Sequence, residues 1–208
     1  MLPPAIAASL GQYRFVAFDV ETASSAAHSI CQMGFACVDH FGRIDCFSLL
    51  VNPRGPYAAF NTRLHGIDAA RTADAADFPT AMAGLLPLMT GQPLVQHSTF
   101  DQGAVTAAAR HYGLALPPLV WVNSVTIARR AWPEWLGQGG HGLGHLKKQL
   151  ALAFHHHDAG EDARAAAQVV LLAEERLGRP LVEPLVPKAR RISARALPER
   201  DGLHSAPE

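Results

Sequence analysis

The run YRFVAFDV at 13–20 is aromatic and β-branched enough to form a buried strand. A second strand is expected over 30–38. The turn Asp39-His40-Phe41-Gly42 then leads into a third over 43–51, so three antiparallel strands follow one another. Asn52-Pro53-Arg54-Gly55-Pro56 breaks the chain. Beyond it helix and strand alternate: helix 79–89, strand 94–96, helix 102–112, then Pro117-Pro118 and strand 119–122. Helices 124–131 and 143–150 follow, joined through a glycine-rich segment, GQGGHGLG at 137–144, that is expected to be a flexible loop. A last long helix runs over 159–177 and is ended by Gly178 and Pro180. Antiparallel strands followed by alternation predict an α/β fold, a mixed five-stranded sheet with helices on its faces.

The folded domain is expected over 13–179, after an N-terminal extension 1–12. From Pro180 the character changes. Pro184, Pro187, Lys188, Arg190, Arg191, Arg195 and Pro198 make 180–208 a basic, proline-containing tail, expected to be flexible or loosely docked.

A chain of 208 residues, 49 % hydrophobic and 17 % charged, can bury a substantial core in one domain. Its formal charge of zero argues against a protein that coats long duplexes, because that affinity comes from Lys and Arg neutralising phosphates. It leaves room for an enzyme that grips a strand end through metals. No apolar run is long enough to span a membrane, and MLPPAIAASLGQYR lacks the basic start and long apolar stretch of a signal peptide. Cys31, Cys37 and Cys46 lie in strand-like segments without a CxxC spacing. They read as reduced core thiols, and the chain as cytoplasmic.

The candidate chemistry lies in three short segments. In FDVET, Asp19 and Glu21 are two apart on a strand, which puts both carboxylates on one face while Phe18 and Val20 take the other. Such a pair can hold a metal or simply mark a strand end in solvent. In QHSTFD, Asp101 opens a helix just after a strand, where a carboxylate is either a cap or part of a site. In HDAGED, Asp158 and Glu161 have the spacing of a capping box, with His157 just before the helix and Asp162 in its first turns. His155 and His156 stand beside His157, and spacing alone does not choose among the three. Four acids brought together repel one another unless a cation sits among them.

These three segments resemble the motifs of the DEDDh group of DnaQ-like 3′–5′ exonucleases, across residues 13–177. The resemblance implies a ribonuclease H-like fold, which agrees with the mixed sheet. It implies that Asp19, Glu21, Asp101 and Asp162 bind two divalent cations, Mg²⁺ or Mn²⁺. It selects His157 as general base, since His157 alone of the triplet has Ala two residues on and Asp five residues on. It implies release of 5′-mononucleotides from 3′ ends, with DNA favoured and RNA the alternative. Thr22, His65 (in Leu64-His65-Gly66-Ile67) and His97 are the substrate contacts it suggests, in preference to Phe18 and Phe100. His97 stands where the group often has Asn, and Asn123-Ser124 where it often has Asp-Thr; the latter pair is expected to be structural. A DNA polymerase subunit and a second copy of the chain are the partners such proteins suggest. A silent nucleic-acid-binding protein on the same fold is the contrasting reading, and the retained acids argue against it.

Overall fold

Residues 2–183 are described by a computed structural model. β1 (Tyr13–Thr22), β2 (Ile30–Asp39) and β3 (Ile44–Leu50) form the expected antiparallel trio. β4 (Leu94–Gln96) and β5 (Trp121–Asn123) extend the sheet from β1 in parallel, giving the order β3-β2-β1-β4-β5. This is the mixed five-stranded sheet that the sequence predicts. β1 runs beyond the expected 13–20 because its pairing with β2 continues to Thr22, opposite Ile30.

The alternation along β1 divides the core in two. Val16, Phe18 and Val20 pack with α4 (Phe78–Thr90) and α5 (Phe100–His111). Phe15 and Ala17 face the opposite layer, made of α6 (Ser124–Ala131), α7 (Leu143–Gln149) and α8 (Ala159–Leu177). Phe15, Phe18 and Phe35 are fully buried, each stabilising the fold by roughly 1.5–3 kcal/mol. Asp19 and Glu21 continue the row of Phe15 and Ala17, so period-two geometry places them on the face that α8 covers.

Three short helices escape the periodicity. α1 (Pro4–Ala8) lies within the N-terminal extension and sends Ile6 into the core. α2 (Ala59–His65) and α3 (Ala69–Thr72) follow the Pro-Gly break. α2 buries none of its residues, so no core-facing stripe runs along it.

α8 lies close to the sheet because both sides of the contact are small. Ala159, Ala163, Ala166, Ala167 and Ala173 are buried along it. Opposite Asp19 in the β1–β2 ladder stands Gly34. A Cβ at Gly34 would lie 2.0 Å from the carbonyl carbon and oxygen of Ala159 and 2.3 Å from the Gly160 nitrogen. Buried Gln32 fastens the same junction, its Oε1 accepting from the Ala159 N–H at 3.1 Å. At the far end Arg14 makes a two-pronged pair with Glu174, at 2.9 and 2.8 Å. Gly34→Ala should therefore destabilise the protein by about 1–3 kcal/mol, because backbone atoms cannot swing aside as a side chain would. Urea denaturation measures this. A midpoint equal to that of the unsubstituted protein would contradict the close approach.

Cys31 and Cys37 are buried, as expected of core thiols, but Cys46 is exposed on β3. β3 is an edge strand, and its alternate side chains face solvent. The loop at 137–144 is not free along its length, since buried His141 donates from Nε2 to the Trp132 carbonyl at 2.8 Å. At the start of the tail, Val182 is buried and the Leu181 N–H donates to Glu174 Oε1 at 2.8 Å. The expectation of a flexible basic tail concerns, from residue 184 onward, residues outside those described. Among the described residues no helix is long and apolar enough to cross a membrane.

Candidate active site

β4 pairs with β1 only at Val16 and Ala17, so the last third of β1 has a strand neighbour on one side alone. On the open side the Val20 N–H donates to Asp101 Oδ1 at 3.0 Å. Asp101 is thus not the cap of α5. Thr99 occupies the cap position without a side-chain bond, and Gln96 Oε1 instead takes the Gln102 N–H at 2.9 Å. Buried Asp101 is committed to holding the end of β1, beside Asp19 and Glu21.

α8 supplies the other wall. Asp158 caps it, Oδ1 accepting from the N–H groups of Gly160 (3.0 Å) and Glu161 (3.1 Å). The reciprocal half of the expected capping box is replaced, because Glu161 pairs with Arg164. Asp162, buried one turn in, accepts from the His157 backbone N–H at 2.8 Å and from His156 Nδ1 at 2.8 Å. His157 adopts a left-handed backbone, φ 70°, which costs about 1–2 kcal/mol in a residue other than glycine. Such strain is typical of residues held for a task.

Asp19, Glu21 and Asp162 each place a carboxylate oxygen within 4.8 Å of the others. Nitrogens of His156 and His157 form a second such group with Asp162. All four predicted acids and His157 line one cavity of about 460 Å³. Asp101 stands outside the tightest group but borders the same space.

Packing the acids together raises their proton affinity. Burial, then repulsion from Asp101, Asp162 and Glu21, holds Asp19 well above the usual carboxylate range. Glu21 is pushed up to about 7 by burial and then by Asp162. Asp101 also rises to about 7, by burial, despite the bond from Val20. Oxygen donors under this strain fit a hard divalent cation, which would relieve the repulsion. The folded chain binds these protons more tightly than the unfolded chain, so their contribution to stability is full below the ordinary carboxylate range and is lost as pH rises through about 7. In EDTA the melting temperature should fall between about pH 5 and about pH 8, and Mg²⁺ or Mn²⁺ should raise it most at the upper end. A cation effect of equal size at both ends would argue against a mutually repelling cluster.

The residues expected to meet substrate are placed less uniformly. Thr22 borders the cavity, and its carbonyl accepts from Asn61 Nδ2 at 2.9 Å. His65 does not border it. Its Nε2 donates to the Thr22 carbonyl at 3.1 Å and its Nδ1 accepts from the Ile67 N–H at 3.0 Å, so it fastens α2 to β1. His97 lines the cavity, but both ring nitrogens are engaged within the protein. Nε2 donates to the His141 carbonyl at 2.9 Å and Nδ1 meets Ser124 Oγ at 2.8 Å, which leaves neither for a substrate. Burial lowers His97 to about 4, so it is neutral in this role. Asn123 caps α6 through Val125 N–H at 2.9 Å, so Asn123-Ser124 is structural as expected.

Phe18 is core, whereas Phe100 is half exposed and borders the cavity. Phe60, Asn61 and Leu64 of α2 line the same wall and were not anticipated. Phe60 and Leu64 are four apart on a helix that buries nothing, and that spacing is the one sequence signal that could have found them.

A family model described as an exonuclease matches residues 16–170 of this chain. The chain belongs to the exonuclease family. All five predicted acid and histidine residues of this exonuclease fall inside the matched region. It is 29 % identical over 166 residues to a PolC-type DNA polymerase III of Caldanaerobacter subterraneus, covering 78 % of the chain and 12 % of the polymerase. It is 30 % identical over 168 residues to the corresponding polymerase of Streptococcus agalactiae, covering 79 % of the chain and 11 % of the polymerase. The exonuclease thus spans only about a ninth to an eighth of these relatives. Its fold is shared with Exonuclease X, solved with 5′-overhanging duplex DNA (TM-score 0.64, 22 % identity, covering 79 % of this chain and 93 % of that one). It is shared too with the nuclease domain of 3′hExo, a DEDDh family member bound to rAMP (TM-score 0.64, 16 % identity, 84 % and 97 %). These likenesses are to the fold, the mixed five-stranded sheet flanked by helices that the sequence predicts.

Proposed function

We propose that this exonuclease hydrolyses the terminal phosphodiester at nucleic-acid 3′ ends, releasing 5′-mononucleotides, with DNA the preferred polymer. The observation that carries the reading is the convergence of Asp19, Glu21 and Asp162 within 4.8 Å at a cavity whose other walls suit a nucleoside. Phe60, Leu64 and Phe100 offer apolar surface for a base of any identity, and Thr22, Ser24 and Ser25 offer hydroxyls for the sugar end.

Asp19, Glu21, Asp101 and Asp162 would hold two divalent cations, Mg²⁺ or Mn²⁺. When bound, these supply an acidified attacking water and charge stabilisation at the leaving 3′ oxygen. The chain's own groups do the rest. His157 accepts the water's proton as general base. Burial, then the neighbouring His156, lowers its pKa, so the ring is free to accept at neutral pH. His156 and the His157 N–H fix the two oxygens of Asp162.

The polymerase relatives support the DNA preference, a proofreading association with a DNA polymerase and a cytoplasmic location. A pull-down with polymerase tests the association, and light scattering tests for a homodimer.

The deciding assay uses 5′-labelled single-stranded DNA and matched RNA with Mg²⁺, with Mn²⁺ and with EDTA. The expected result is a ladder shortening from the 3′ end of DNA, faster than of RNA and absent in EDTA. Faster shortening of RNA would reverse the polymer preference. No shortening of either polymer would leave a binding role on the exonuclease fold.

A further inference from the structure

A second recess, of about 350 Å³, adjoins the first. The two share Asp19, His97, Ser98, His156 and Asp162. Their outer walls differ. The first is apolar and hydroxyl-bearing, whereas the second is bounded by Val125 and Arg129 of α6 and by His141-Gly142-Leu143. Both volumes lie towards the lower end of the range of about 300–1,000 Å³ seen for pockets that take one small ligand.

Hydrolysis at a strand end has two sides. The water oxygen bonds to phosphorus, the bond from phosphorus to the neighbouring 3′ oxygen breaks, and that oxygen leaves with a proton. If the acids mark the phosphorus, one nucleotide must lie on each side of them. Resting on the function proposed above, we propose that the second recess holds the nucleotide on the 5′ side of the cleaved bond, with Arg129 contacting that nucleotide's own phosphate.

Three observations support this. Arg129 is exposed and makes no salt bridge among the described residues, although it borders a recess that contains two of the acids. It is therefore not tied to either of them. A guanidinium in that position matches a phosphate oxygen. The recess is also preformed, because His97 ties its walls together, meeting Ser124 of α6 with one nitrogen and the His141 carbonyl with the other. Finally, the 18 basic residues are balanced by 18 acidic ones, so the chain as a whole offers a strand no net attraction and a cation beside the cleavage point carries weight.

The test compares two substrates. The p-nitrophenyl ester of thymidine 5′-monophosphate places a nitrophenolate where the 5′-side nucleotide would be, and single-stranded DNA fills both recesses. In Arg129→Ala the ratio of kcat/KM for DNA to that for the ester should fall by about fivefold, the scale of one partly exposed charge pair. Arg129→Glu should lower the ratio further. The dependence of log kcat/KM for DNA on log salt should flatten by about 0.7, the slope that neutralising one phosphate of a single strand contributes. Circular dichroism verifies that both variants fold. A ratio held within about twofold in both variants overturns the assignment of Arg129 while leaving the exonuclease reading intact. A wild-type protein that hydrolyses neither substrate overturns that reading, and this inference with it.

Discussion

Asp19→Ala should lower nucleotide release by about three orders of magnitude or more while the protein stays folded. Asp19 sits where every wall of the site meets. It is in β1, opposite Gly34, one residue from the Val20 N–H that Asp101 holds, and it borders both recesses. Its carboxylate oxygen is one of the three within 4.8 Å. In the proposed role, removing it would take away a shared ligand, so the two opposing effects on stability can be separated. Without divalent cations the variant should melt at or above the wild-type temperature at about pH 8, because burial and neighbouring acids disfavour the missing charge. With cations the wild type should gain stability and the variant should not. Asp19→Asn, which keeps the volume, should behave the same way. Wild-type turnover in either variant would remove Asp19 from the metal set. Loss of activity together with a collapsed melting temperature in EDTA would instead make it a structural residue.

His157→Ala should lower kcat by about 10²–10⁴-fold, the usual worth of a positioned general base. KM and the cation-dependent rise in melting temperature should change little, because neither depends on the imidazole in the proposed role. The pH profile makes the role specific. If His157 accepts the proton, kcat/KM rises with pH through a value below the ordinary imidazole range, and the variant loses that limb. His156→Ala is the necessary companion. His156 is bonded to Asp162 and stacked on His157 with ring centroids 4.1 Å apart, so its loss should disturb the site without removing the base. A milder fall in kcat with the pH limb retained is the expected result. If His156→Ala loses the limb and His157→Ala keeps it, the two roles are exchanged.

Much of this site was legible because its motifs are local. The period of two in FDVET placed Asp19 and Glu21 on one face, and β1 does present them together beneath α8. Asp158 capped the last helix as its sequence neighbours required, which brought Asp162 one turn inward. What the sequence did not show was which bonds its histidines make across the fold. His65, expected to meet substrate, has its ring held by the Thr22 carbonyl and the Ile67 N–H. His97 was similarly claimed by Ser124 and by the His141 carbonyl, which lie 27 and 44 residues away. Apart from the Ile67 contact, these bonds join segments 27 to 44 residues apart, which the linear sequence does not record. The aromatic wall was misjudged for a related reason: Phe18 and Phe100 are alike in type, and only the packing around each buries one and leaves the other at the cavity.

The sequence by itself determined the order of the strands and the longer helices, the mixed sheet, the face that carries the first two acids and the group of exonucleases the motifs resemble. Those depend on short-range periodicity, capping and turn chemistry, which a linear chain records directly. Tertiary structure alone decided that Asp101 holds the end of β1 instead of capping a helix, and that Gly34 and Gln32 seat α8 against the sheet. It also decided that two recesses, not one, meet at the acids. Each of these is a contact between segments tens of residues or more apart, and its geometry exists only once the sheet has brought them together.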